Sequence, residues 1–131
     1  MKIEKKRYGF TLIEMLLVLA IIAIIATFAI PQVGKYINKA NKTKLIAAVS
    51  ELNTTSTSWS VENGGNIPTS MAEIFEEQGD LSKLGIGLQD DGTFKVGNIN
   101  GIMNYVNSDG EIYAKIYPTS KAYANEEIHS R

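Results

Sequence analysis

There is no cysteine anywhere in the 131 residues. That excludes a disulfide framework, a thiolate metal site and a cysteine nucleophile, so any exported part must hold together by packing alone. Histidine is nearly missing as well: His129, close to the C-terminus, is the only one, which argues against zinc or histidine acid–base chemistry. Neither a glycine-rich phosphate loop nor a nucleophile with a companion base stands out, and these absences together argue against an enzyme. Charge is missing over a long stretch too. Between Arg7 and Lys35 the only charged side chain is Glu14.

That stretch is apolar to Ile30, just before Pro31. At about 1.5 Å of helical rise per residue it is long enough to cross the hydrocarbon of a bilayer, roughly 30 Å thick. A carboxylate inside such a segment costs roughly 2.5 to 3.5 kcal/mol at the centre and less near an end, which makes Glu14 a functional candidate as well as a residue able to snorkel to the interface. Upstream, Lys2, Lys5, Lys6 and Arg7 against Glu4 give the first nine residues a charge of +3, leaving −4 for the remainder. Basic residues flanking a membrane helix stay on the cytoplasmic side, which sends the rest of the chain outward. An acidic remainder offers no broad surface for nucleic acid. An ordinary signal peptide is the first alternative, with Ala26-Thr27-Phe28-Ala29 as a loose cleavage site. The length of the run favours a retained anchor instead.

The basic leader, Gly9, Phe10-Thr11-Leu12-Ile13-Glu14, the aliphatic stretch and Ala29-Ile30-Pro31 together resemble the N-terminus of the type IV pilin and pseudopilin family. The resemblance covers roughly the first third of the chain. It implies removal of a leader, residues 1–9, by a membrane prepilin peptidase cutting between Gly9 and Phe10, then N-methylation of Phe10 and assembly into a helical filament. It further implies that the new ammonium of Phe10 pairs with Glu14 of a neighbouring subunit. Geometry alone allows the same pair within one chain, since residues four apart share a helix face. A lone carboxylate would destabilise an apolar bundle of stems, and a cation beside it offsets much of that cost. Pro31 removes a backbone donor and favours a kink. Many pilins carry a glycine inside the stem, whereas here none lies between Phe10 and Gly34.

After the membrane or filament-core helix, 10–34, an exported domain is expected over 35–131, beginning with an amphipathic helix over 35–62. Ile37, Leu45, Ala48, Val49, Leu52 and Trp59 recur at helical spacing and predict a core stripe. Asn63-Gly64-Gly65-Asn66 stops it. A short helix is predicted over 70–78, with Ser70 as cap, Glu73 completing a capping box and Gly79 as its end. Three antiparallel strands follow over 93–117, at 93–99, 102–106 and 111–117, separated by Asn100-Gly101 and by Asn107-Ser108-Asp109-Gly110. Ile112, Ala114 and Ile116 should face the helix stripe. Residues 118–131 read as a mobile tail. The fold class is therefore α+β: a long helical stem whose second half packs on a small antiparallel sheet, which is also the pilin fold that the resemblance implies.

Asp90, Asp91 and Asp109 offer oxygens at short spacing, and calcium is known in this part of related secretion pseudopilins. Neither stretch has the spacing of a full calcium loop, and turn chemistry uses the same residues. No other cofactor is expected. Tyr105, Tyr113, Tyr117 and Tyr123 near Lys95, Lys115 and Lys121 could form a patch for single-stranded DNA or a surface ligand. The reading that results is a structural pilus subunit serving adhesion, twitching motility or biofilm formation. Its partners would be further copies of itself, the prepilin peptidase, the assembly machinery, the membrane before assembly and the cell surface after it. A secretion-system pseudopilin and a competence pilin, which alone would handle nucleic acid, are the nearest alternatives. A singly anchored binding protein that never polymerises is the alternative of another class.

Overall fold

The structure is a computed structural model that describes Gly9 and residues 11–130. It divides into two compact units meeting between Tyr36 and Ile37. Helix α1, Leu12–Glu62, contributes residues to both.

Within the first unit, α1 is apolar on every side and none of its large side chains is covered: Leu12, Leu16, Ile24, Phe28 and Ile30 are all exposed. Helical assignment continues through Pro31, although proline has no N–H to offer the carbonyl four residues back. One turn below, the Thr27 hydroxyl donates to the Ile24 carbonyl at 2.6 Å.

The second unit is built on the C-terminal half of α1, followed by α2 (Met71–Gln78), a 3-10 turn (Leu81–Leu84) and strands β1 (Thr93–Val96), β2 (Ile99–Val106), β3 (Glu111–Ile116) and β4 (Glu127–Ile128). The sheet is antiparallel throughout, in the order β1-β2-β3-β4. Strand β3 alternates as its sequence predicts, with Ile112, Ala114 and Ile116 fully buried. They join Leu45, Ala48, Val49 and Leu52 of α1 in one apolar cluster, together with Ile74 and Phe75 of α2. The α+β architecture expected from the sequence is thus the one observed.

Several details differ, each for a physical reason. There are four strands, not three, and residues 118–131 do not form a free tail over the part described. Ser120, Ala122 and Ile128 are buried there, and β4 pairs Ala114 with Ile128 and Lys115 with Glu127. The first hairpin turns at Gly97-Asn98, where Gly97 takes φ +58°, and Asn100-Gly101 lies inside β2. Gly101 serves a different need: a Cβ there would sit 2.2 Å from the Lys115 carbonyl oxygen and 2.9 Å from the Phe94 ring. The glycine thus lets strand and ring approach.

Ile37 is exposed and Trp59 only half-buried, so the buried stripe of α1 ends instead in polar Asn53 and Ser56. Asn53 behaves like a strand residue. Its Nδ2 donates to the Ile112 carbonyl at 2.9 Å and its Oδ1 accepts the Ile112 N–H at 2.7 Å. Ser56 donates to the Gly110 carbonyl at 2.7 Å. The other hydroxyls of the same run, Thr54, Thr55 and Thr57, return to carbonyls one turn back, which satisfies them without favouring the helix, so packing through Leu52, Asn53 and Ser56 overrides the poor propensity of the run. At α2, Ser70 makes no side-chain cap. Glu73 reaches one residue further back instead, accepting from the Thr69 N–H at 3.3 Å and hydroxyl at 2.6 Å. Gly79 closes the helix at φ +83°.

The C-terminal strand is pinned by His129. Its Nδ1 lies 3.0 Å from Glu111 and its Nε2 3.1 Å from Glu127, while its ring stacks on Tyr113 at 4.5 Å. Lys115 lies 3.5 Å from the other Glu127 oxygen. The hydrogen bond to Glu111 and then that to Glu127 hold the imidazole pKa above its ordinary value. Such a group adds stability that is complete below the unfolded pKa of about 6.5 and is lost as pH rises through the raised folded value. The thermal midpoint should therefore drop modestly between about pH 6 and pH 9, and His129→Gln should flatten that slope in a melting series. At the acid end Glu127, whose pKa is lowered first by the His129 hydrogen bond, loses its contribution as pH falls through its own folded value.

Candidate functional site

The residues of greatest chemical interest lie at the start of α1. Leu12 is its first helical residue, and Thr11 stands before it as the cap, its Oγ1 accepting the Glu14 N–H at 3.2 Å while its carbonyl accepts the Met15 N–H at 3.2 Å. Glu14 is thus the third residue of the first turn, where three further N–H groups lack intrahelical partners and the helix dipole favours a negative charge. The pattern Thr11-x-x-Glu14 is a capping-box signature. The sequence reading leaves Glu14 open between a pair within one chain and the intersubunit pair that the resemblance implies, and does not include the capping box with Thr11. A hydroxyl three residues before an acid, opening an apolar run, was the available signal.

Gly9 is exposed, with φ +25°, and nothing lies within 4 Å of where a Cβ would be. Its surroundings would admit a side chain, whereas its backbone dihedral favours glycine. Phe10, expected as the new N-terminus and methylation site, lies outside the described residues, as do Lys2, Lys5, Lys6 and Arg7. Glu14 is exposed on a helix whose other side chains through Ile30 are uncharged. One continuous apolar surface of this kind exceeds anything a soluble monomer normally presents to water. It requires lipid or other apolar helices around it. By length and composition this is a helix able to cross a membrane.

The remaining candidates are more dispersed. Asp91 caps the turn before β1, accepting from the Thr93 N–H at 2.9 Å and hydroxyl at 2.7 Å, and the bond from that hydroxyl is the main cause of its lowered pKa. Asp109 accepts the Glu111 N–H at 2.9 Å in the β2–β3 turn. Asp90 stands beside Glu76, Phe75 and Leu81 in a shallow recess. Among the described residues, no three acidic or histidine side chains are grouped to share a metal ion. The tyrosines are not gathered into one patch either. Tyr105 donates to the Pro68 carbonyl, Tyr113 stacks on His129, and Tyr123 lies under Lys42 at 4.5 Å.

Residues 5–30 match the family model described as the prokaryotic N-terminal methylation motif. Two fimbrial proteins of Pseudomonas aeruginosa are each 46% identical to the chain over 50 residues, covering 38% of this chain and 32% of theirs. The match thus spans about a third of those relatives. No solved structure gives a significant match.

Proposed function

From an N-terminal segment of the type IV pilin family carried on a pilin-type α+β fold, we propose that this chain is a structural subunit of a type IV pilus filament. It enters the cytoplasmic membrane by its apolar helix, is cut between Gly9 and Phe10 by prepilin peptidase, and is methylated on Phe10. Pilus assembly machinery then moves it from lipid into a fibre at the cell surface, where its work is mechanical and not catalytic. The observation that carries this reading is the stem itself: a helix bare of cover on all sides with one carboxylate in its first turn. Lipid alone would be served as well or better by an uncharged first turn. A stem that must leave lipid and pack against other stems has a use for one charge, because a buried pair satisfied in only one register specifies how subunits are added.

The test is to shear the producing cells and identify the bulk protein of the released fibres by intact mass and N-terminal sequencing. The expected result is this chain, lacking residues 1–9 and bearing one extra methyl group at Phe10. A chain left wholly in the membrane fraction, processed or not, would instead support a non-polymerising anchored protein. Fibres that remain periplasmic or depend on a secretion machine would indicate the pseudopilin variant of the same mechanism, and loss of DNA uptake on deletion the competence variant.

A further inference from the structure

The folded unit after Tyr36 is electrically polar from end to end. At one end, Asn98 of the β1–β2 turn donates to Asn38 Oδ1 of α1 at 3.2 Å, and the Ser120 hydroxyl donates to the Asn98 carbonyl at 3.0 Å. This brings the start of the unit's helix, the hairpin and the segment after β3 together. Lys95 and Lys121 line a polar recess there with Gly97, Asn98, Asn100 and Thr119. Lys42 belongs to the same end, bonded to Glu126 at 2.9 Å. Lys95 and Lys121 form no ion pair among the described residues. At the other end Trp59 lines a recess with Glu73, Glu76 and Glu77. No cation among the described residues pairs with these three. Glu77 is crowded further by Glu62, whose charge is the main cause of its raised pKa. Along α1, Asn41, which lies against Gly97, and Trp59 are eighteen residues apart, so the two ends are separated by about 27 Å.

Exposed charges of opposite sign at opposite ends of one body cannot pair within that body. They can pair by translation: the lysine end of one copy meets the glutamate end of the next. A contact that uses one patch from each copy is heterologous, and repeated without closing it generates an open helical array, whereas an antiparallel two-fold pair would use both patches at once and stop at a dimer. We propose that Lys95 and Lys121 of one copy dock on the recess formed by Trp59, Glu73, Glu76 and Glu77 of the next copy. This contact between folded domains rests on the filament reading and is separate from the pairing at Glu14. The glutamates oppose the lysines across the contact, while half-buried Trp59 supplies an apolar centre.

The test uses the full chain in the cells that produce it. Lys95→Glu with Lys121→Glu, and separately Glu76→Lys with Glu77→Lys, should each lower the yield of sheared fibres by about tenfold or more through like-charge contact, and the four changes together should recover most of it. Because the chain has no cysteine, Lys121→Cys with Glu76→Cys adds a second measurement. Mild oxidation should give a ladder of covalent multimers, which two sulfurs at opposite ends of one domain cannot form internally. Fibre yield unchanged by either reversal, failure of the fourfold variant to recover, or a lack of ladder in intact fibres overturns the proposal while leaving the filament reading in place. Wild-type cells without fibres would overturn both.

Discussion

Glu14→Ala is expected to leave the chain inserted and cut after Gly9 yet reduce its presence in sheared fibres by more than a hundredfold. A pair desolvated in a stem bundle costs about 3 to 5 kcal/mol to break from one side, because the cation is left behind without its partner. In lipid, before assembly, the same change removes an ionised group near the end of an apolar helix and should favour insertion slightly. The two effects have opposite signs, and fractionating cells into membrane and fibre pools separates them. Glu14→Gln sharpens the result. It keeps the length and a hydrogen-bonding end for the helix start, where Thr11 accepts the Glu14 N–H, but it carries no charge. If Gln assembles normally, the residue matters as a helix cap and the ion-pair account fails; if Gln fails as Ala does, charge is what the fibre requires.

Asn53→Ala should destabilise the folded unit strongly. It strips the Ile112 N–H and C=O of their partners in a buried setting and removes a 2.6 Å bond to Ser130 as well. Leaving two buried backbone groups unsatisfied costs about 2 to 4 kcal/mol, against a domain stability of the same order as two or three such losses. Thermal unfolding of the full chain in mild detergent, followed by circular dichroism, should show a midpoint lower by about 10 °C or more. Asn53→Asp is the discriminating partner. It retains an acceptor for the Ile112 N–H but sets a carboxylate against the Ile112 carbonyl, so it should be no better than alanine. Recovery by Asp would mean that only the acceptor half of the contact matters.

These two residues also show how far the sequence can be read. Glu14 announces itself, because one charge in a long apolar run is visible without any structure, and the period of the Leu45–Leu52 stripe and of β3 is equally plain. Asn53 does not. A polar residue within Thr and Ser neighbours looks like part of a solvated face until the edge of β3 is brought against it, and that is a tertiary fact. The same holds for β4, a two-residue strand in a polar stretch whose pairing depends on Ile128 reaching the core and on His129 finding Glu111. The hairpin at Gly97-Asn98 was missed because Asn100-Gly101 carries an equally good local signal. Only the packing of Phe94 and the Lys115 carbonyl against Gly101 separates them. Thr11 is the instructive case, legible through its spacing to Glu14 but overshadowed by the stronger interest of the acid.

The Asn53 contact has a further consequence. A small sheet offers two open borders, each a template on which another chain can lay a strand, and molecules concentrated in a membrane or along a fibre meet often enough for that to be hazardous. Here the borders are short and partly occupied from within, the outer strand β4 being only two residues long. On the β1 side, the segment before the strand lies alongside it, with the Lys95 N–H donating to the Ile86 carbonyl at 3.1 Å and the Gln89 N–H to the Thr93 carbonyl at 2.8 Å. On the β3 side, β4 covers Ala114 and Lys115, and where it stops the amide of Asn53 takes over at Ile112. Crowded copies thereby find little open backbone on which to fuse in the amyloid manner, which favours meeting through side chains, whose contacts can be made in one register and undone.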